Sequence, residues 1–127
     1  MRYLKLAAAA AIVAAPAFLT VGAVQAQQTR DCVITGNLGP IGFNSEGSIE
    51  LNAGESCNMF LTTSGTIDSA KISQRPKNGT LRLAGAGSAV YTPKAGFRGT
   101  DEFAVTMNGR GLNNSGTSTL KIRANVK

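Results

Sequence analysis

From residue 118 to 126 apolar and polar positions alternate without a break, with Leu120, Ile122, Ala124 and Val126 set against Thr119, Lys121, Arg123 and Asn125. A period of two is the mark of a strand with one face buried. The same alternation predicts strands over residues 48–52 (Ile49 and Leu51 on one side), 56–62 (Cys57, Met59, Leu61) and 102–107 (Phe103, Val105, Met107). Shorter β-branched or apolar runs predict further strands at 31–35, 70–74, 80–83 (Leu81 and Leu83 inward) and 89–92. Between them lie breakers. Arg75-Pro76-Lys77-Asn78-Gly79 predicts a tight turn, Asn-Gly being a strong local signal. Residues 84–88 read as a small-residue turn, and residues 36–47, with Gly36, Gly39, Pro40, Gly42 and Gly47, as a loop or irregular edge. Residues 108–117 read as a long glycine-rich hairpin loop, and residues 27–30 as a frayed tail. Beyond residue 26 no segment carries helical periodicity over three turns. Short strands at this spacing predict an all-β, two-sheet antiparallel sandwich.

The first residues follow another pattern. Arg2 and Lys5 open the chain with positive charge, residues 6–21 are apolar apart from Thr20, and Val24-Gln25-Ala26 supplies residues suited to a cleavage point. This layout predicts a secretory signal peptide over residues 1–26, cut after Ala26, and no stable membrane insertion afterwards. The rival reading is a retained anchor, since residues 6–24 form an uncharged run of spanning length. Against it stand the dominance of alanine and the breaks at Pro16 and Gly22. Cleavage leaves residues 27–127, enough for one domain with a thin core.

Export changes the reading of the two cysteines, Cys32 and Cys57. In an oxidising compartment a disulfide is the default, stabilising the fold by roughly 3–4 kcal/mol through loop closure. The minor readings are a free thiol or a metal site. Two thiols in a chain without histidine do not complete a tetrahedral site, so no metal or cofactor is expected.

Charge is laid out unevenly. Residues 30–68 carry one basic and five acidic residues, and residues 71–127 carry ten basic and two acidic. Beyond residue 26 the net charge is +4. The split suggests a dipolar surface able to meet an anionic envelope polymer or an acidic protein, with plain solubility as the competing explanation. Four residues are the candidate binding positions: Arg110 and Leu112 in the glycine-rich hairpin, and Lys94 and Arg98 beside the Gly96-Phe97 corner. Loops at sandwich ends carry recognition in many such folds, although a glycine-rich hairpin also occurs as a simple connection.

The stretch Pro76-x-Asn78-Gly79-Thr80-Leu81, followed by Tyr91-Thr92-Pro93-x-x-Gly96-Phe97-x-Gly99-x-Asp101-x-Phe103, resembles the bacterial Ig-like or cadherin-like repeat modules of large exported adhesins. The specific motifs cover residues 71–107, with a looser match over about 60–126. The resemblance implies an Ig-like sandwich whose corner residues serve the scaffold. Gly96 and Gly99 would take backbone angles closed to other residues, Phe97 and Phe103 would anchor the core, and Asp101 would accept backbone hydrogen bonds. The chain departs from the pattern in holding one module rather than a tandem array. It also lacks the aspartate clusters by which cadherins hold calcium, which argues against calcium-dependent adhesion.

Catalytic chemistry finds little support. There is no histidine to act near neutral pH, and Asp101-Glu102 are strand neighbours whose side chains point to opposite faces. Ser69 and Lys71 share a strand face, a spacing too common to define a dyad. Nucleic acid is not an expected partner, because export removes the target and the aromatics Phe43, Phe60, Tyr91, Phe97 and Phe103 read as core rather than stacking platforms. The expected function is therefore a non-enzymatic, exported binding or envelope-associated module in the periplasm or beyond, with a protein or anionic envelope polymer as partner. The alternative is a small periplasmic inhibitor of an exported enzyme, suggested by size, a disulfide and protruding loops.

Overall fold

The computed structural model describes residues 28–61, 65–85 and 87–127; the expected signal peptide over residues 1–26 lies outside them. Nine strands follow in chain order: β1 Gln28–Asp31, β2 Thr35–Asn37, β3 Ser45–Leu51, β4 Glu55–Phe60, β5 Thr66–Gln74, β6 Gly79–Leu83, β7 Ser88–Pro93, β8 Gly99–Arg110 and β9 Ser115–Val126. They form two sheets, one ordered β1-β4-β7-β6 and the other β2-β3-β9-β8-β5. The fold is the expected all-β sandwich. Pairing is antiparallel except where the N-terminal strands join, β1 running parallel to β4 and β3 parallel to β9.

The alternating positions meet between the sheets. Tyr91, Phe103, Ile49, Leu51, Met59, Ile122, Val105 and Cys57 are the largest fully buried side chains, drawn from the five strands β3, β4, β7, β8 and β9. At about 25 cal/mol per Å² of apolar surface removed from water, this layer is the main source of stability. Tyr91 and Phe103 stack with ring centroids 5.1 Å apart and planes 18° from parallel, joining the two sheets at the centre. Cys32 and Cys57 form a disulfide with Cα atoms 5.4 Å apart. It fixes the crossover over residues 32–34 by which the chain leaves β1 in one sheet for β2 in the other.

Four local expectations are corrected. The strand expected over 31–35 is divided: residues 28–31 are β1 rather than a tail, residues 32–34 cross over, and Thr35–Asn37 form β2 inside the expected loop. A four-residue strand at an edge is favoured only by pairing, here with Glu55–Asn58 of β4, so alternation could not mark it.

The Asn78-Gly79 segment joins β5 of one sheet to β6 of the other, so it is an inter-sheet corner and not a hairpin. A two-residue hairpin of the common type needs positive φ at both central positions, and among the described residues no non-glycine residue has positive φ. Gly79 is needed for close approach instead. A Cβ there would sit 2.5 Å from the Thr92 carbonyl oxygen and 2.9 Å from the Tyr91 ring.

The loop expected over 108–117 is mostly strand. Asn108, Gly109 and Arg110 pair with Thr117, Gly116 and Ser115, leaving a tip of four residues, 111–114. Phe43 and Phe60, read as core from the sequence, are 59% and 60% exposed, Phe43 because it sits in the 38–44 loop and Phe60 because it faces outward at the end of β4.

Candidate functional site

β8, paired along its full length with β9, runs the length of the sandwich. Its twelve residues, at about 3.3 Å each, separate the two ends by roughly 35–40 Å. That length divides the four candidate binding residues. Lys94 and Arg98 lie in the corner before β8, while Arg110 ends β8 and Leu112 occupies the hairpin tip. The structure therefore brings together two pairs and separates the pairs from each other.

The first end is built around Asp101, only 3% exposed. Its carboxylate accepts hydrogen bonds from the backbone N–H of Lys77 (2.9 Å), Asn78 (2.9 Å) and Glu102 (3.0 Å) and from the Tyr91 hydroxyl (2.9 Å). A buried carboxylate is tolerated only when its lone pairs are met in this way, and bonds to a charged acceptor are worth about 1.5–3 kcal/mol each. The phenol in turn is pushed well above its ordinary pKa, first by burial and then by the adjacent Asp101. The two motif halves seen in the sequence are thus one device, in which the Asp of the second corner fastens the backbone of the first. A further bond from Lys94 N–H to the Asn78 carbonyl (2.8 Å) ties the corners directly, and Phe97 N–H to Lys94 C=O (3.0 Å) closes the second turn. Gly96 and Gly99 hold φ of +80° and +135° there, as expected of them.

This fastening gathers charge. Arg75 and Lys77 of the first corner and Lys94 and Arg98 of the second are all exposed. None of the four has an ion-pair partner among the described residues. The four pairs found, Arg30–Glu55 (3.2 Å), Arg110–Asp68 (3.0 Å), Arg123–Glu102 (3.2 Å) and Lys127–Glu50 (3.0 Å), take up acids that the sequence had placed mainly in its first half. Folding therefore cancels much of the linear charge split, and of the seven cations without an ion-pair partner among the described residues four stand on this corner pair, the others being Lys71, Arg82 and Lys121. Sequence reasoning named Lys94 and Arg98 and missed Arg75 and Lys77 as their companions. The signal was available in the Pro-x-Asn-Gly segment, but its neighbour in space depends on which sheet β6 joins.

The second end carries no such charge. Asn114 donates its side-chain amide to the Ile41 carbonyl (2.8 Å), and Ser118 Oγ accepts from Gly42 N–H (2.7 Å), so the 38–44 loop is fastened to the base of the hairpin. Gly111 N–H to Asn114 C=O (2.7 Å) closes the tip. Arg110 is engaged by Asp68 through two nitrogens, at 3.0 and 3.2 Å, and its pKa is raised by that bonding. Leu112, 98% exposed, projects from the tip. On the outer face of the β2-β3-β9-β8 sheet a shallow groove of about 360 Å³ is lined by residues of both signs, among them Glu46, Glu102, Lys121 and Arg123.

The geometry defines an Ig-like sandwich with two differentiated ends. Residues 37–122 match the family described as Bacterial Ig domain, and the chain belongs to that family. No curated protein matches the chain. Among solved structures it is similar to PbICP-C, determined in complex with falcipain-2, at 12% identity over 79% of this chain and 99% of that one with a TM-score of 0.41. It is also similar to the solution structure of amebosin, at 17% identity over 70% of this chain and 100% of that one with a TM-score of 0.30. Overlaps of this size do not extend a neighbour's role to this chain.

Proposed function

We propose that the chain is a non-enzymatic exported binding module that engages an anionic envelope polymer through its Arg75–Lys77–Lys94–Arg98 end. Membership of the Bacterial Ig domain family and the disulfide are consistent with an exported protein and with binding rather than catalysis. The observation that carries the proposal is the clustering of four exposed, unpaired cations on two corners that Asp101 holds in fixed relation. Cations so placed raise the local concentration of a polyanion and bind it with strong dependence on salt, because free charges are screened within about 8 Å at physiological ionic strength. Phosphate or carboxylate repeats suit such a site, and the bidentate reach of arginine favours both.

The test is retention of the full chain, expressed with its own N-terminus, on isolated envelope fractions across a salt gradient. Retention at low salt that is lost at high salt, and lost on combined Lys94→Glu and Arg98→Glu substitution, is expected. Arg110→Glu at the opposite end should leave it unchanged. Absence of low-salt retention, or retention indifferent to the reversal at Lys94 and Arg98, refutes the proposal. A stoichiometric enzyme recovered by pull-down from the periplasm would move the reading to the inhibitor alternative.

A further inference from the structure

We infer, resting on the basic-end reading above, that the binding surface continues from the basic corners onto the outer face of the β1-β4-β7-β6 sheet, where Phe60 makes it a site for an acidic polysaccharide. Alternation fixes which side chains share this face. Ala89 and Tyr91 of β7 are buried, so Ser88, Val90 and Thr92 turn outward. Their partners across the ladders turn outward with them: Phe60 opposite Ser88, Arg82 opposite Val90 and Thr80 opposite Thr92. One further step of the same alternation reaches Lys94, whose N–H continues the ladder by bonding the Asn78 carbonyl (2.8 Å). Lys94 of the basic corner, Arg82 and Phe60 therefore lie along one face. From the Lys94 row to the Phe60 row is roughly 20 Å, six residues of strand.

Charge, ring and hydroxyls together select the ligand. Between Asp68 and Asp101 the chain holds six cations and no acid, so the β6-β7 side of this face carries positive charge only. Arg82 has no ion-pair partner among the described residues. The acids of the β1-β4 side are engaged, Glu55 by Arg30 (3.2 Å) and Asp31 by the Asn58 amide (3.0 Å). Phe60, expected in the core, is instead 60% exposed at the end of the track. A bare phosphate chain gains nothing from a phenyl ring. A pyranose does, because its face of C–H groups packs on the electron-rich face of an aromatic. Between the ring and Lys94 stand the hydroxyls of Thr80 and Thr92, and a hydroxyl both donates and accepts, as sugar hydroxyls require. The ligand that uses all of these is a chain of sugars bearing carboxylates. Its acid groups meet Arg82 and Lys94, and one ring face meets Phe60. The strands beneath are already paired, so little ordering of the protein remains to be done on binding.

The experiment is isothermal titration of the full chain, expressed with its own N-terminus, with polygalacturonate and with long-chain polyphosphate at matched charge. Polygalacturonate should bind the more tightly, and its binding should weaken with salt. Phe60→Leu, which keeps apolar bulk and removes the flat ring, should weaken polygalacturonate about 10-fold and leave polyphosphate unchanged. Phe60→Tyr should retain the parent affinity, and Arg82→Glu should weaken both polymers. Equal thermal midpoints for Phe60→Leu and Phe60→Tyr exclude misfolding as the cause. Polygalacturonate binding indifferent to Phe60→Leu, or polyphosphate binding as tightly as polygalacturonate, would overturn the inference. If polyphosphate still responds to Lys94→Glu with Arg98→Glu, the basic-end reading stands without it. If neither polymer binds, the inference falls, and retention on envelope fractions decides whether the basic-end reading falls too. A protein held through Phe60 that polygalacturonate does not displace would also overturn it.

Discussion

The two ends of this sandwich are made from the same strands and held by opposite chemistry. At one, a buried carboxylate fastens two corners through four hydrogen bonds, and exposed cations stand on the fastened backbone. At the other, a neutral amide and a hydroxyl fasten a loop to a hairpin, and apolar side chains project from it. The buried middle sets strand number and pairing, so it constrains both ends equally in shape and neither in surface character. What differs is the cost of failure. A buried charge that loses its partners is far more expensive than a part-buried amide that can turn to water.

That difference can be broken most directly by Asp101→Ala. It leaves the Lys77 and Asn78 amides and the Tyr91 hydroxyl without their acceptor, and a loss of about 3–5 kcal/mol is expected. In a domain of this size that lowers the thermal midpoint by roughly 15 °C or more. Tyr91→Phe keeps the stacking on Phe103 and removes one donor to the carboxylate, so a loss of about 1–2 kcal/mol in denaturant unfolding is expected. Asn114→Ala is the matching cut at the other end and should cost no more than ~1 kcal/mol. Equal losses for Asp101→Ala and Asn114→Ala would show that the two ends are not held differently.

The smallest effect is a pH dependence confined to the charged half of the molecule. The Glu50 carboxyl is held below its ordinary range first by the Asn125 side chain and then by Lys127. The Glu55 carboxyl is held low first by the Asn52 backbone N–H, with Arg30 adding to it. Both folded-state values are depressed, so these interactions stabilise above the ordinary glutamate range and fade as pH falls through the lowered values. Both groups reach solvent, so the readout is carboxyl chemical shift against pH rather than unfolding. Titration of either group at its ordinary value would contradict the contacts, and Asn125→Ala should return Glu50 toward it.

Strands with a buried face were legible residue by residue. Ile49, Leu51, Met59, Phe103, Val105 and Ile122 all lie where alternation put them, because burial of one face enforces a period of two. The corner glycines and Asp101 were legible too, since a positive φ and a buried carboxylate each demand particular residues. Edge strands β1 and β2 were not, because three or four polar or glycine residues become a strand only when a partner offers its hydrogen bonds. Nor was the route of the Asn78-Gly79 segment, whose local signal is shared by hairpins and corners alike.

By itself, then, the sequence determined the class of fold, its inward faces, its disulfide pair and the residues that must stand at the corners. Only the tertiary structure decided that Arg75 and Lys77 join Lys94 and Arg98, that Arg110 is taken up by Asp68, and that Leu112 stands at the opposite end from the four cations. The reason is physical. Burial and backbone angle act on each residue locally and leave a mark in its identity. The grouping of surface charges depends on which strands the sheets place side by side, and that is settled by pairings between residues distant in the chain.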